Sequence, residues 1–124
     1  MADKTILIVE DTVELAEMMM LALRALPNIH IHHAHRGEAA LDWLEQNHVD
    51  LIVLDIAMPG MNGWEVLDVI KERVRAEGIK VIVTTAFTDP ANRLIGKFQD
   101  IAVYMTKPYR ITELRQVISE QLGL

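Results

Sequence analysis

Acidic side chains stand at two places where an apolar run ends: Glu10-Asp11 follows Thr5–Val9, and Asp55 lies at the end of Leu51–Ile56. Three carboxylates brought together raise one another's pKa and destabilise a fold unless a cation joins them. Hard divalent ions favour such oxygen ligands, and Mg²⁺ in particular uses one or two carboxylates, keeps several waters and accepts a phosphate oxygen. The plainer alternative is that Glu10 and Asp11 only cap the first helix, where acids suit the dipole. Hydroxyls stand at Thr84-Thr85, before Ala86, and an ammonium at Lys107-Pro108, after the run Ile101–Met105. Taken singly, these read as helix punctuation and a simple ion pair. Taken together, carboxylates, hydroxyl and ammonium can hold a phosphoryl group on an acidic side chain.

The elements that must position these groups alternate along the chain. Thr5–Val9, Ile29–Ala34, Leu51–Ile56, Lys80–Thr85 and Ile101–Met105 are short and rich in β-branched and aliphatic residues, which predicts five strands. Three of them are nearly continuous in apolar residues, as in a parallel sheet covered on both faces. Helical spacing appears in Val13, Ala16, Met20 and Leu23, in Ala40, Leu41 and Leu44, and in Leu67, Ile70 and Val74. A fourth helix is expected after Asp89-Pro90, carrying Leu94, Ile95 and Phe98 and weakened by Gly96. The fifth presents Ile111, Leu114, Val117, Ile118 and Leu122. Five βα units with short connections imply right-handed crossovers and an open, doubly wound sheet, since a closed barrel needs about twice this length. The expected fold is therefore α/β, with five parallel strands, a flavodoxin-like order and helices on both faces. Ligands of such sheets bind beyond the carboxyl ends of the strands, where the acids lie.

Composition narrows the function classes. The 124 residues are 51% hydrophobic and 24% charged, enough for a core without staples and without the signature of disorder. Residues 1–124 read as one domain, with no linker, low-complexity tract or repeat. The formal charge of −6 has the wrong sign for a polyphosphate backbone, so nucleic acid is not expected as a direct partner. Without cysteine there is no disulfide framework, thiol catalysis or thiolate metal site. Met1-Ala2-Asp3-Lys4 opens no signal peptide, and no apolar run suits a membrane span, so a cytoplasmic protein is expected.

Glu10-Asp11, Asp55, the loop Met58-Pro59-Gly60-Met61-Asn62-Gly63, Thr85-Ala86, Tyr104 and Lys107-Pro108 resemble, in order and spacing, the signature of the receiver domain of two-component response regulators. The resemblance covers essentially the whole chain and is closest in kind to single-domain, chemotaxis-regulator-like receivers. It implies that Glu10, Asp11, Asp55 and the backbone carbonyl of Ala57 hold Mg²⁺ and that Asp55 is the nucleophile toward a phosphoryl group. It further implies that Lys107 supplies positive charge, that Thr85 donates its hydroxyl to a phosphoryl oxygen and that Tyr104 is the aromatic switch. The Lys107-Pro108 bond is expected cis. Gly60 and Gly63 fit a tight turn with unusual backbone angles, and Asn62 is a natural cap for the third helix.

The partners implied are a histidine kinase or phosphotransfer protein as donor. On the output side stands a downstream protein or self-association through the fourth helix, fifth strand and fifth helix. In receivers the side chains two residues after the acceptor and two after the switch threonine flank the path of a hydrolytic water. Here these are Ala57 and Phe87, neither able to orient a water, so slow self-dephosphorylation is expected.

Other readings have sequence features against them. Haloacid-dehalogenase-like phosphatases need a second Asp where Ala57 stands, and a flavodoxin-like phosphate loop would not carry Glu10-Asp11. A receiver-shaped scaffold regulated by binding alone would not need the full constellation. A receiver belonging to a larger response regulator or hybrid kinase would keep it. His30, His32, His33 and His35 alternate faces on a strand and cannot all meet one ion, so they read as a polar edge strand. Met18-Met19-Met20 reads as helix packing.

Overall fold

A computed structural model describes residues 3–85 and 101–124. The chain runs β1 (Lys4–Val9), α1 (Val13–Leu23), β2 (Ile29–Ala34), α2 (Gly37–Gln46), β3 (Leu51–Asp55), α3 (Gly63–Glu77), β4 (Lys80–Thr85), β5 (Val103–Thr106) and α4 (Ile111–Leu122). Helix α4 is the last of the helices read from the sequence. The helix expected after Asp89-Pro90, together with Ala86 and Phe87, lies outside the described residues.

All strand pairs are parallel, in the order β2-β1-β3-β4-β5. Successive connections leave β1 toward one edge and β3 toward the other, so the order switches between β1 and β3, whose carboxyl ends carry Glu10 and Asp55. Alternating side chains give the sheet two apolar faces. On one, Leu7, Ile52, Leu54 and Val83 pack against Ala40 and Leu44 of α2 and Val66, Leu67 and Ile70 of α3. On the other, Ile6, Ile8, Val53 and Ile82 pack against Met19 and Leu23 of α1 and Leu114 and Ile118 of α4. Each such buried aliphatic side chain contributes roughly 1.5–3 kcal/mol against exposure, which the doubly covered strands multiply.

The loop after β3 is set by three local devices. Gly60 adopts φ +75°, a left-handed conformation that glycine takes without cost. Asn62 accepts the Glu65 N–H through its side chain while Glu65 returns the bond to the Asn62 N–H, the capping box that starts α3. Gly63 is required by space rather than by backbone angle: a Cβ there would lie 2.6 Å from the Asp55 carbonyl oxygen and 2.7 Å from Ile56 Cδ1. This close approach seats the first turn of α3 against the end of β3, and Gly78 in the left-handed region ends the helix.

Three expectations are corrected. In α1 the buried positions are Ala16, Met19 and Leu23, whereas Val13 is 43% exposed, in a first turn whose neighbours Thr12 and Glu14 are also exposed. Met19 therefore packs as expected of the methionine run, while Met18 is exposed. Strand β5 starts at Val103, since pairing with β4 begins at Ile82↔Val103, and the Ala102 N–H only bridges to the Val81 carbonyl. Gly63, as noted, owes its place to packing.

Strand β2 is an edge strand, as its histidines suggested. His32 stacks on Trp43 of α2 at 4.6 Å, and His33 on the opposite face meets His35 edge-on at 4.4 Å.

Candidate functional site

Each polar group at the switch point is placed by continuation of a strand. Ile8, Val53 and Met105 belong to the core face covered by α1 and α4, and two residues further along each strand come Glu10, Asp55 and Lys107. Strand alternation thus delivers two acids and one ammonium to the same side of the sheet. Glu10 is 1% exposed and Asp55 3% exposed. One ligand atom from each of Glu10, Asp11 and Asp55 lies within 4.8 Å of the others, the sole such group among the described residues.

Lys107 Nζ stands 3.4 Å from Glu10 Oε1 and 3.4 Å from Asp55 Oδ1, so one ammonium is shared by two buried carboxylates. The second Glu10 oxygen accepts the Thr12 N–H at 3.2 Å, and Asp55 Oδ1 accepts the Ala57 N–H at 3.3 Å. Glu10 thus lends one oxygen to the loop that begins α1, while Thr12, the capping residue, makes no side-chain cap of its own. The capping alternative accounts for half of this carboxylate and leaves the other half facing Lys107.

Charge balance is incomplete. Burial, followed by the Asp55 charge, pushes Glu10 up to about 7, and Lys107 offsets this only in part. Asp55 is raised by burial against the lowering influence of Lys107. A pocket that holds acids in this condition gains most from an added cation. The donors are hard oxygens, the chemistry that suits Mg²⁺.

The remaining predicted groups surround this pocket. Thr85 is buried at the end of β4, and its carbonyl accepts the Lys107 N–H at 2.6 Å. The Lys107–Pro108 bond is cis, as expected. Tyr104 pairs with Val83 and packs, half-buried, on the opposite core face, the one covered by α2 and α3. Ala57 is exposed beside Asp55, and Phe87 lies outside the described residues. Strand β2 contributes a contact that the sequence reading missed: the Glu10 carbonyl can only accept, so His33 Nε2 carries the proton and donates to it at 2.7 Å. Tyr109, which packs against the core with its phenol oxygen buried, was also missed; its place directly after Lys107-Pro108 was the available signal.

Comparison with known proteins agrees with this geometry. The family model of the response regulator receiver domain matches residues 6–119. The response regulator ArlR of Staphylococcus haemolyticus is 36% identical over 110 residues, covering 88% of this chain and 48% of that protein. A probable cyclic di-GMP phosphodiesterase of Vibrio cholerae is 35% identical over 118 residues, covering 95% of this chain and 26% of that protein. The chain therefore spans half or less of the length of these relatives.

Among solved structures, the receiver domain of a signal transduction histidine kinase from Syntrophus aciditrophicus superposes with a TM-score of 0.85 at 28% identity, covering 97% of this chain and 90% of that one. A response regulator from Chloroflexus aurantiacus gives a TM-score of 0.84 at 26% identity, with 98% and 99% covered. Receiver domains are signalling modules that bind Mg²⁺ through acidic residues and take phosphoryl groups from histidine kinases. By the match over most of its length and by its sheet order and acid pocket, this chain belongs to the response regulator receiver domain family.

Proposed function

We propose that residues 1–124 act as one phosphorylation-controlled receiver whose acceptor is Asp55. The observation that carries this reading is the shared ammonium: Lys107 reaches Glu10 and Asp55 at 3.4 Å each, in a pocket of three carboxylates. An Asp55 oxygen attacks the phosphorus of a phosphohistidine, the phosphorus–nitrogen bond breaks, and the leaving imidazole keeps the electron pair and takes up a proton. Little covalent work falls to the protein, so positioning and charge neutralisation carry the transfer. Lys107 and the Thr85 hydroxyl offset charge on the phosphoryl oxygens. Mg²⁺, when bound, supplies Lewis-acid charge to the same oxygens. Glu10, Asp11, Asp55 and the backbone carbonyl of Ala57 are the groups that would hold it.

The donor is a histidine kinase or phosphotransfer protein. Output passes to a downstream protein or to a second receiver across the segment after β4, strand β5 and helix α4, with Tyr104 of β5 as the switch residue. Aspartyl transfer of this kind, in a cysteine-free chain, suits the cytoplasm. Among the described residues, no helix is long and apolar enough to cross a membrane. The Ala57 side chain cannot orient a water, and neither can that of Phe87. The phosphoryl group should decay slowly, and faster in the double variant Ala57→Asn, Phe87→Glu, as timed by loss of label.

The test is intact-mass measurement after incubation with Mg²⁺ and a small phosphodonor. Wild type should gain one phosphoryl group, dependent on Mg²⁺, and Asp55→Asn should gain none. An Asp55→Asn protein labelled as fully as wild type would remove Asp55 as acceptor.

A further inference from the structure

The histidines of β2 divide between its two sides, and on one side two of them come together. His33 and His35 are two residues apart, so they leave the backbone in the same direction. Their rings meet edge-on with centroids 4.4 Å apart. The backbone that carries them is fixed on both flanks. Ala34 is buried, pairs with Val9 of β1, and its carbonyl accepts the Glu10 N–H at 3.1 Å. Gly37, which opens α2, lies so close to α3 that a Cβ there would stand 2.7 Å from Val66 Cγ2. The pair is therefore mounted on a rigid support, as a binding site requires.

The hydrogen bond of His33 decides which of its nitrogens is available. Nε2 donates to the Glu10 carbonyl at 2.7 Å, so in the neutral ring Nδ1 carries the lone pair. A metal-ligating histidine has this arrangement: a backbone carbonyl holds the other ring N–H, fixes the tautomer and orientation, and makes the free nitrogen a better ligand. Among the described residues, no hydrogen bond or ion pair engages Nδ1 of His33 or either nitrogen of His35, whose ring is exposed. An ion about 2.1 Å from one nitrogen of each ring, with its two bonds at right angles, brings the ring centroids to roughly 4.5 Å. The observed separation matches that of neighbouring ligands on one ion.

We infer that His33 and His35 form a second metal site, which takes a borderline divalent ion of the Zn²⁺ class through one nitrogen of each ring and leaves the remaining positions to water. Imidazole suits Zn²⁺, Cu²⁺ and Ni²⁺, whereas the hard oxygens of Glu10, Asp11 and Asp55 suit Mg²⁺. The two sites therefore select different ions. The histidine site uses none of the three carboxylates and stands whether or not Asp55 is the acceptor. His30 and His32 take no part in it: His30 Nε2 faces Asp3 at 2.7 Å, and His32 stacks on Trp43.

The test is calorimetric titration of the untagged protein with Zn²⁺ in the presence of excess Mg²⁺, which competes for the acid pocket. Wild type should bind one Zn²⁺ under these conditions. His35→Asn, at an exposed position outside the core, should bind it at least roughly tenfold more weakly, and His30→Asn should match wild type. His33 supports the loop that follows β1, so it is left in place and read by NMR of histidine-labelled wild type, in which Zn²⁺ should shift the Nδ1 signal of His33 and a ring nitrogen signal of His35. No Zn²⁺ binding in wild type, binding that excess Mg²⁺ abolishes, or an affinity unchanged in His35→Asn would overturn the inference. So would Zn²⁺ binding that leaves the His33 and His35 signals unmoved.

Discussion

Strand β3 carries an aspartate near each end, and the two are used in opposite ways. Asp50, just before the strand, is surrounded by donors: one oxygen accepts the Thr5 N–H at 2.8 Å, and the other faces His48 Nε2 at 3.2 Å. His48 continues to Glu77, which pairs with Arg73, and Arg73 reaches the carbonyls of Leu44 and Asn47 at the end of α2. At the other end, Asp55 has one backbone N–H and half of a lysine, and it shares its pocket with two more acids. The amino edge is satisfied by hydrogen bonds from its own neighbours. The carboxyl edge keeps an excess of negative charge and oxygen lone pairs, which costs stability and leaves a function for a cation and a phosphoryl group. The same residue type is a structural tie at one end of five residues of strand and a reactive group at the other.

The comparison breaks most visibly at Lys107. Lys107→Ala should lower the rate of phosphoryl uptake from a small donor by roughly 100-fold, on the scale of losing one preorganised transition-state donor. Uptake slowed less than tenfold would mean that the ammonium has only a structural role.

The second expectation concerns pH. Folded Glu10 holds its proton up to about 7, while an unfolded glutamate releases it near 4.5. Between those values the folded chain binds more protons, so this group's contribution is present below pH 4.5 and is lost as pH rises through about 7, by roughly 3 kcal/mol. Urea unfolding of the metal-free protein should show that decline, Mg²⁺ should flatten it, and Glu10→Gln should reduce it to the part that buried Asp55 contributes. A pH-independent stability in this window would contradict the charge excess assigned to the carboxyl edge.

Smaller and opposite effects are expected from the two aspartates themselves. Asp50→Ala strips the partner from the Thr5 N–H and from His48, and should cost about 1–3 kcal/mol while leaving the Mg²⁺ response intact. Asp55→Asn relieves repulsion in a buried pocket and should stabilise the metal-free protein by about 1 kcal/mol while blunting the response to Mg²⁺. Thermal melts with and without Mg²⁺ check both signs.

The sequence made the carboxyl edge easier to read than the amino edge. Continuous apolar runs marked β1, β3 and β4 because strands covered on both faces have no polar period, and the acids and threonines stood at their ends, with Lys107 after β5. Asp50 and Arg73 were passed over because their partners are backbone groups of distant segments, which no local pattern displays. The start of β5 was misplaced because Ile101 and Ala102 resemble strand residues and only pairing to β4 decides the boundary. Val13 was placed on the core face for a related reason: helical period fixes a face but not where along the helix its cover begins. The orphan state of the Tyr109 hydroxyl depends on side-chain placement and was not legible at all.

The central claim, that Asp55 accepts the phosphoryl group while Asp50 serves only as a tie, is met most directly by locating the label. An aspartyl phosphate is reduced by borohydride to homoserine, so the phosphorylated protein can be trapped, digested and sequenced by mass spectrometry. The account predicts homoserine at position 55 alone, absent when Mg²⁺ is withheld. Homoserine at Asp50, at Asp11 or at no position in a protein that has gained the phosphoryl mass would contradict it.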